Sequence, residues 1–198
     1  MTYPIFFKNT PTITLRDPLS NFLGTFEDGI VEFTYLDIVK SAGHSCPTVS
    51  GAYLVTIKAL ELLYPNEIPT RGAIEVSLKG DMKQGVIGVI SNVITQITGA
   101  TELSGFKGLN GKFARNNLMH FNADIDGEIE FKRVDNGKKV TLNYDPSCVK
   151  GNPKQQELMM KLMQGIATPL ESIEFGKLWQ ERVENIFKRA DEVITISK

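Results

Sequence analysis

The sequence predicts an α+β domain with a helix–strand–helix–three-strand core, one mixed or antiparallel sheet and two added C-terminal helices. Three observations in its 198 residues support this. Two segments carry apolar residues at helical spacing. Several short segments alternate apolar and polar residues around turn-forming Asp-Gly and Asn-Gly pairs. The last fifty residues contain two helix starts of the same kind, "NPKQQ" and "TPLES".

Residues 1–32 read as an irregular extension punctuated by Pro4, Pro11, Pro18 and Gly24, with "TITLR" a short edge strand and "DPLSNFLGTF" a turn of helix. Residues 33–42 predict a short helix closed by Gly43. The next helix starts at Pro47, whose missing N–H is no loss at the first helical position. Val49, Ala52, Tyr53, Thr56, Ile57, Leu60 and Leu63 then keep helical spacing. "AIEVSL", residues 73–78, alternates as a strand. "GVIGVISNVITQITG" is rich in β-branched residues, which favour strands. Its apolar positions Val86, Val89, Ile90, Val93, Ile94 and Ile97 nevertheless share one helical face, so it predicts a buried helix ended by Gly99. Three strands follow over 112–121, 127–134 and 138–145, and residues 33–150 form the expected domain. Residues 151–198 read as a helical appendage with Asn or Thr at each N-cap and Pro next. Met159, Met160 and Met163 make a stripe there suited to core or subunit interface, as do Trp179 and Phe187, and a homodimer is expected.

Composition narrows the function. The formal net charge is −1, which offers no field for nucleic acid or an anionic membrane. No apolar run approaches the roughly 18 residues of a membrane span. The two cysteines, Cys46 and Cys148, do not make a secreted disulfide framework, so a cytoplasmic protein with free or metal-bound thiols is expected.

Chemistry concentrates in "KSAGHSCPTVSGAY". With Pro47 first in its helix, Cys46 is the N-cap, beside unsatisfied N–H groups at the positive end of the helix dipole. That setting favours thiolate, the form that binds metals and attacks electrophiles. His44 two residues earlier makes a thiolate–imidazole pair suited to zinc, or to nickel or iron. The local alternative is that Cys46 is a small buried apolar residue and His44 a loop histidine satisfied by backbone. Short connections make successive elements reverse, so His44, Cys46, His120, Asp81, Asp145 and Cys148 are expected at one end of the domain. His44, Cys46, His120 and Cys148 are the candidate metal ligands. Asp81 suits an oxygen ligand or a general base, although a loop Asp also serves simply as a turn residue, and Asp145 before Pro146 most simply starts a turn. The glycine-rich "GFKGLNGKF" lacks the strand–glycine–helix context of a dinucleotide site and reads as a loop at the edge of the site.

"FTYLDIVKSAGHSCPTVSGAYLVTIKALELL" resembles the opening of the E-subunit domain of formylmethanofuran dehydrogenase, where a His-x-Cys-Pro turn precedes a small-residue helix. The resemblance continues more loosely through "VITQITGAT" and "GLNGKFARNNLMHF", covering roughly residues 33 to 146. It implies the same core order and a metal, zinc before others, at His44 and Cys46. Members commonly carry another cysteine near the start of the second core helix, and some a four-cysteine ribbon at the C-terminus. Here "GDMKQGVIGV" has no cysteine and none follows Cys148. The family's name refers to chemistry at a molybdenum or tungsten centre in other subunits, and none of it carries over by fold alone. The expectation is a metal-binding domain that binds or transforms a small molecule. Two others stand beside it: an enzyme with Cys46 as nucleophile and His44 or His120 as base, and a dimeric interaction protein with a structural metal.

Overall fold

The computed structural model describes residues 2–197 and is of the α+β class. A 3₁₀ turn at Ile5–Asn9 leads into β1 (Ile13–Arg16), α1 (Pro18–Phe22) and β2 (Ile30–Phe33). Then come α2 (Tyr35–Ala42), α3 (Pro47–Leu63), β3 (Ile74–Leu78), α4 (Ile87–Thr98), β4 (Met119–His120), β5 (Ile129–Arg133) and β6 (Lys139–Tyr144). The chain closes with α5 (Lys154–Met163), α6 (Pro169–Lys188), α7 (Ala190–Val193) and β7 (Ile194–Ile196).

The main sheet has the order β4-β3-β5-β6-β7, parallel between β3 and β4 and antiparallel elsewhere. Its register puts Val76, Met119 and Phe131 on one face, under the helices, and Ser77, His120 and Glu130 on the other. Ile74, Val76, Leu78, Ile129, Phe131 and Leu142 are buried accordingly. Successive strand residues point to opposite faces, and only one face here is covered.

The core helices form for the reasons the sequence contains. Thr34 and Asp37 make a reciprocal capping box at the start of α2, and Gly43 ends it with φ 77°. Gly99, at φ 78°, ends α4 likewise, and the "GVIGVISNVITQIT" segment is helical despite its β-branched content. Helical burial of Val93, Ile94 and Ile97 against α3 outweighs the local strand preference.

Three expectations are corrected. The strand expected over 112–121 shrinks to Met119–His120, because Phe113 and Asn117 within it adopt positive φ and break an extended run. Residues 30–33, not foreseen as a strand, pair with β1 in a separate two-stranded sheet. The end of the chain, read as helix through Val193, goes on into β7, which pairs antiparallel with β6. Neither terminal segment lies apart from the body: Phe7, Ile13 and Leu15 share one buried cluster with Val183, Ile186 and Val193.

A buried charged knot ties the N-terminal segment to the core. Asp17 caps α1 through the Leu19 and Ser20 N–H groups, receives Arg71 Nη1 at 3.0 Å and receives Arg115 Nη2 at 2.6 Å. Arg71 also donates to the carbonyls of Gln96 and Ile97 in the last turn of α4. Gly72, at φ +83°, is required here, since a Cβ would meet Arg115 Nη1 at 1.7 Å. Burial alone would raise the Asp17 pKa. Hydrogen bonds from Arg71 and the Ser20 N–H and the charges of both arginines outweigh it and hold the carboxyl below its ordinary range.

Candidate functional site

The turn Gly43–Pro47 joins α2 to α3, and its shape is set by side chains from far along the chain. Cys46 is the N-cap of α3, and its Sγ accepts the Val49 N–H at 3.4 Å. The Ser45 carbonyl accepts Trp179 Nε1 at 3.0 Å and Gln180 Nε2 at 3.2 Å from α6. Ser45 Oγ and the Tyr35 hydroxyl are 2.9 Å apart. The Pro47 carbonyl accepts the Tyr144 hydroxyl at 2.6 Å, and Ser50 Oγ bonds the carbonyls of both Cys46 and Pro47. The Tyr144 ring lies so close against α3 that a Cβ on Gly51 would meet its Cζ at 2.1 Å. Glycine at 51 is therefore what admits the clamp.

Burial pushes the Tyr35 and Tyr144 phenols well up, with the nearby Cys46 sulfur acting in the same direction. Both therefore stay protonated at neutral pH and serve as donors or dipoles rather than bases. The half-buried Cys46 thiol is held by the Val49 N–H, in a turn whose neighbouring polar atoms are bonded by the two neutral phenols.

His44 is exposed, with Nδ1 at 3.0 Å from the Ala42 carbonyl. A carbonyl only accepts, so Nδ1 carries the proton and Nε2 is left as an acceptor. His44 lines a cavity of about 340 Å³ between the end of α2 and α4, together with Ser41, Val89, Asn92, Val93 and Gln96. A second cavity of about 330 Å³ shares Asn92 and Thr95 and extends under Thr101–Ser104, Met119 and Phe121. The glycine-rich segment that follows meets α1, where the Phe113 and Phe22 ring centroids are 5.4 Å apart.

The expected gathering of ligands at one end is realised only at the level of strand direction. The C-terminal ends of β3, β4 and β6 do point the same way. His120, however, lies on the open face of the sheet, with Nε2 at 3.3 Å from Glu75 Oε1. It is also three strand spacings, roughly 14 Å, from β6, whose Tyr144 clamps the turn. Asp81 is a turn residue: it accepts the Lys83 N–H and the Asn122 amide, which hold its pKa low. Asp145 caps the 3₁₀ turn Pro146–Cys148 through Ser147. Cys148 is an exposed free thiol whose carbonyl accepts Arg189 Nη1.

Among the described residues, no three His, Cys, Asp or Glu side chains are grouped closely enough to hold a metal ion. A resident zinc takes at least three protein donors. His44 and Cys46 alone do not supply them, so the residues present do not fit a resident zinc centre. No hydrogen bond among the described residues joins either histidine to the Cys46 sulfur. Nothing in the sequence pointed directly to Tyr144, Trp179 and Gln180 as builders of the turn. Gly51 in mid-helix was the available hint of a close approach.

The fold and site together define an α+β domain with a braced His-x-Cys turn beside two small cavities. No protein-family model matches the chain, and no curated protein matches it. No helix among the described residues is long and apolar enough to cross a membrane.

Proposed function

We propose that the chain is a small-molecule-binding domain of the formylmethanofuran dehydrogenase E-subunit type, with its ligand in the groove between His44 and α4. The observation that carries this reading is the uncommitted Nε2 of His44 at a 340 Å³ cavity. Asn92, Gln96 and Ser41 add amide and hydroxyl groups, and Val89 and Val93 add an apolar wall. Such a lining suits a compact molecule with a carboxylate or amide at one end and a short apolar portion at the other. Zinc, which the resemblance implies, is proposed only as a reversible occupant of the His44–Cys46 turn, and no reaction is assigned to it. A cytoplasmic location and self-association through the C-terminal helices belong to the same reading, resting on two free thiols and an exposed apolar terminus.

A thermal-shift screen of small carboxylates and amides tests the groove. A ligand at one hundred times its Kd adds about 2.7 kcal/mol of stability. The expected result is a stabilising compound whose effect is lost in both His44→Ala and Asn92→Leu. A compound that stabilises wild type and both variants equally places the ligand elsewhere and ends the groove reading.

A further inference from the structure

The α5–α6 hairpin leaves much apolar surface uncovered. Ile5, Met160, Met163, Ile166, Leu170 and Ile173 are 79%, 53%, 84%, 65%, 78% and 56% exposed. At roughly 200 Å² per fully exposed side chain, these six together expose on the order of 800 Å² of apolar side chain, close to one partner's share of a standard interface. Ile5 and Ile173 also line a wide groove of about 1240 Å³ between the N-terminal 3₁₀ turn and α6. In that groove Gln180 Oε1 is buried and finds no donor within its own chain.

One residue of this face has no reason to be what it is within a single chain. Gly176 lies in the interior of the 20-residue α6, where glycine is a poor helix former. Its φ is not positive, and a Cβ built there meets nothing within 4 Å. Neither backbone conformation nor a neighbour in its own chain requires the missing side chain. A closely approaching helix from outside does.

We propose that the chain forms a two-fold symmetric dimer through antiparallel crossing of α6 helices, with Leu170 of each copy seated against Gly176 of the other. This deepens the self-association reading and rests on it, independently of the groove at His44. The register follows from the spacing. Leu170 and Gly176 are each three positions from Ile173, so a two-fold axis beside Ile173 sets every Leu170 opposite a Gly176. The large exposed side chain then fills the notch left by the absent one, and Ile173 packs on its own copy at the centre. A second copy fits where an unrelated partner has no such requirement, because bulge and notch are both on the one face and complementary to each other.

Sedimentation velocity over a micromolar concentration series, with circular dichroism on the same samples, tests this on the full chain. Wild type is expected to be dimeric and Ile173→Glu monomeric with an unchanged spectrum. Gly176→Leu is expected to be monomeric yet to melt no lower than the Ile173→Glu monomer, since leucine favours the helix that glycine weakens. That second variant keeps the test valid if the first fails to fold. A wild-type dimer that persists in both variants overturns this surface while leaving self-association standing. A wild type that is monomeric throughout overturns both.

Discussion

Two polar regions of this molecule are built from similar material and left in opposite states. In the Asp17–Arg71–Arg115 knot, the carboxylate receives two guanidinium groups and two backbone N–H groups, and Arg71 uses its remaining donors on α4. At the His44–Cys46 turn, the backbone is likewise tied, by Trp179, Gln180, Ser50 and Tyr144, while His44 and Cys46 make only one local hydrogen bond each, to the Ala42 carbonyl and from the Val49 N–H. His44 lines a cavity and its one hydrogen bond is made through Nδ1, and Cys46 keeps a half-buried thiol. A charged cluster whose ions pair with one another holds structure together. A rigid backbone carrying uncommitted side chains is the arrangement expected of a binding site, because fixed geometry lowers the entropy cost of engaging a ligand.

The largest expected contrast comes from removing the charge in the knot. Asp17→Asn strands two arginines, one of them buried, and is expected to cost about 3–5 kcal/mol in urea denaturation. The sign of the pH dependence follows from the lowered Asp17 pKa. Its contribution is fully present above the unfolded carboxyl value, about 3.9, and is lost as pH falls through the lower folded value. The urea midpoint of wild type should therefore decline below about pH 4, with a shallower decline in Asp17→Asn.

Gly51→Ala comes next. The new methyl overlaps the Tyr144 ring, so a loss of about 1–3 kcal/mol is expected from the same denaturation assay. Tyr144→Phe removes only the hydrogen bond to the Pro47 carbonyl, which Ser50 still reaches, and should cost about 1 kcal/mol. The smallest effect is the most informative for the comparison. His44→Ala should leave the denaturation midpoint in place, since its one contact is a local one to Ala42 at the surface. A large loss there would make His44 a structural residue and erase the distinction between the two regions.

The helices were legible in the sequence because their periodicity and punctuation agree: Pro47 starts α3, and Gly43 and Gly99 end α2 and α4. Cys46 as N-cap was legible for the same reason. The short strands were less so. β4 is cut to two residues by left-handed conformations at Asn117, a residue that favours them, and at Phe113, which gives no such signal, and β7 follows a helix with no turn residue between. Strand direction was readable from connection lengths, but the face of the sheet was not. His120 differs from Met119 by one position, and that single step puts it on the open side, away from the turn. Long-range partners such as Trp179 and Ser45, 134 positions apart, leave no local trace at all.

The most direct test of the contrast is a calorimetric zinc titration of untagged protein, followed by dialysis against metal-free buffer, with His44→Ala and Cys46→Ser in parallel. An accessible pair of uncommitted donors, short of a closed centre, should take up about one equivalent of zinc that dialysis removes, and either substitution should abolish the uptake. Zinc that survives dialysis at one equivalent, or uptake that neither substitution alters, would contradict the picture of His44 and Cys46 as an open pair of uncommitted donors.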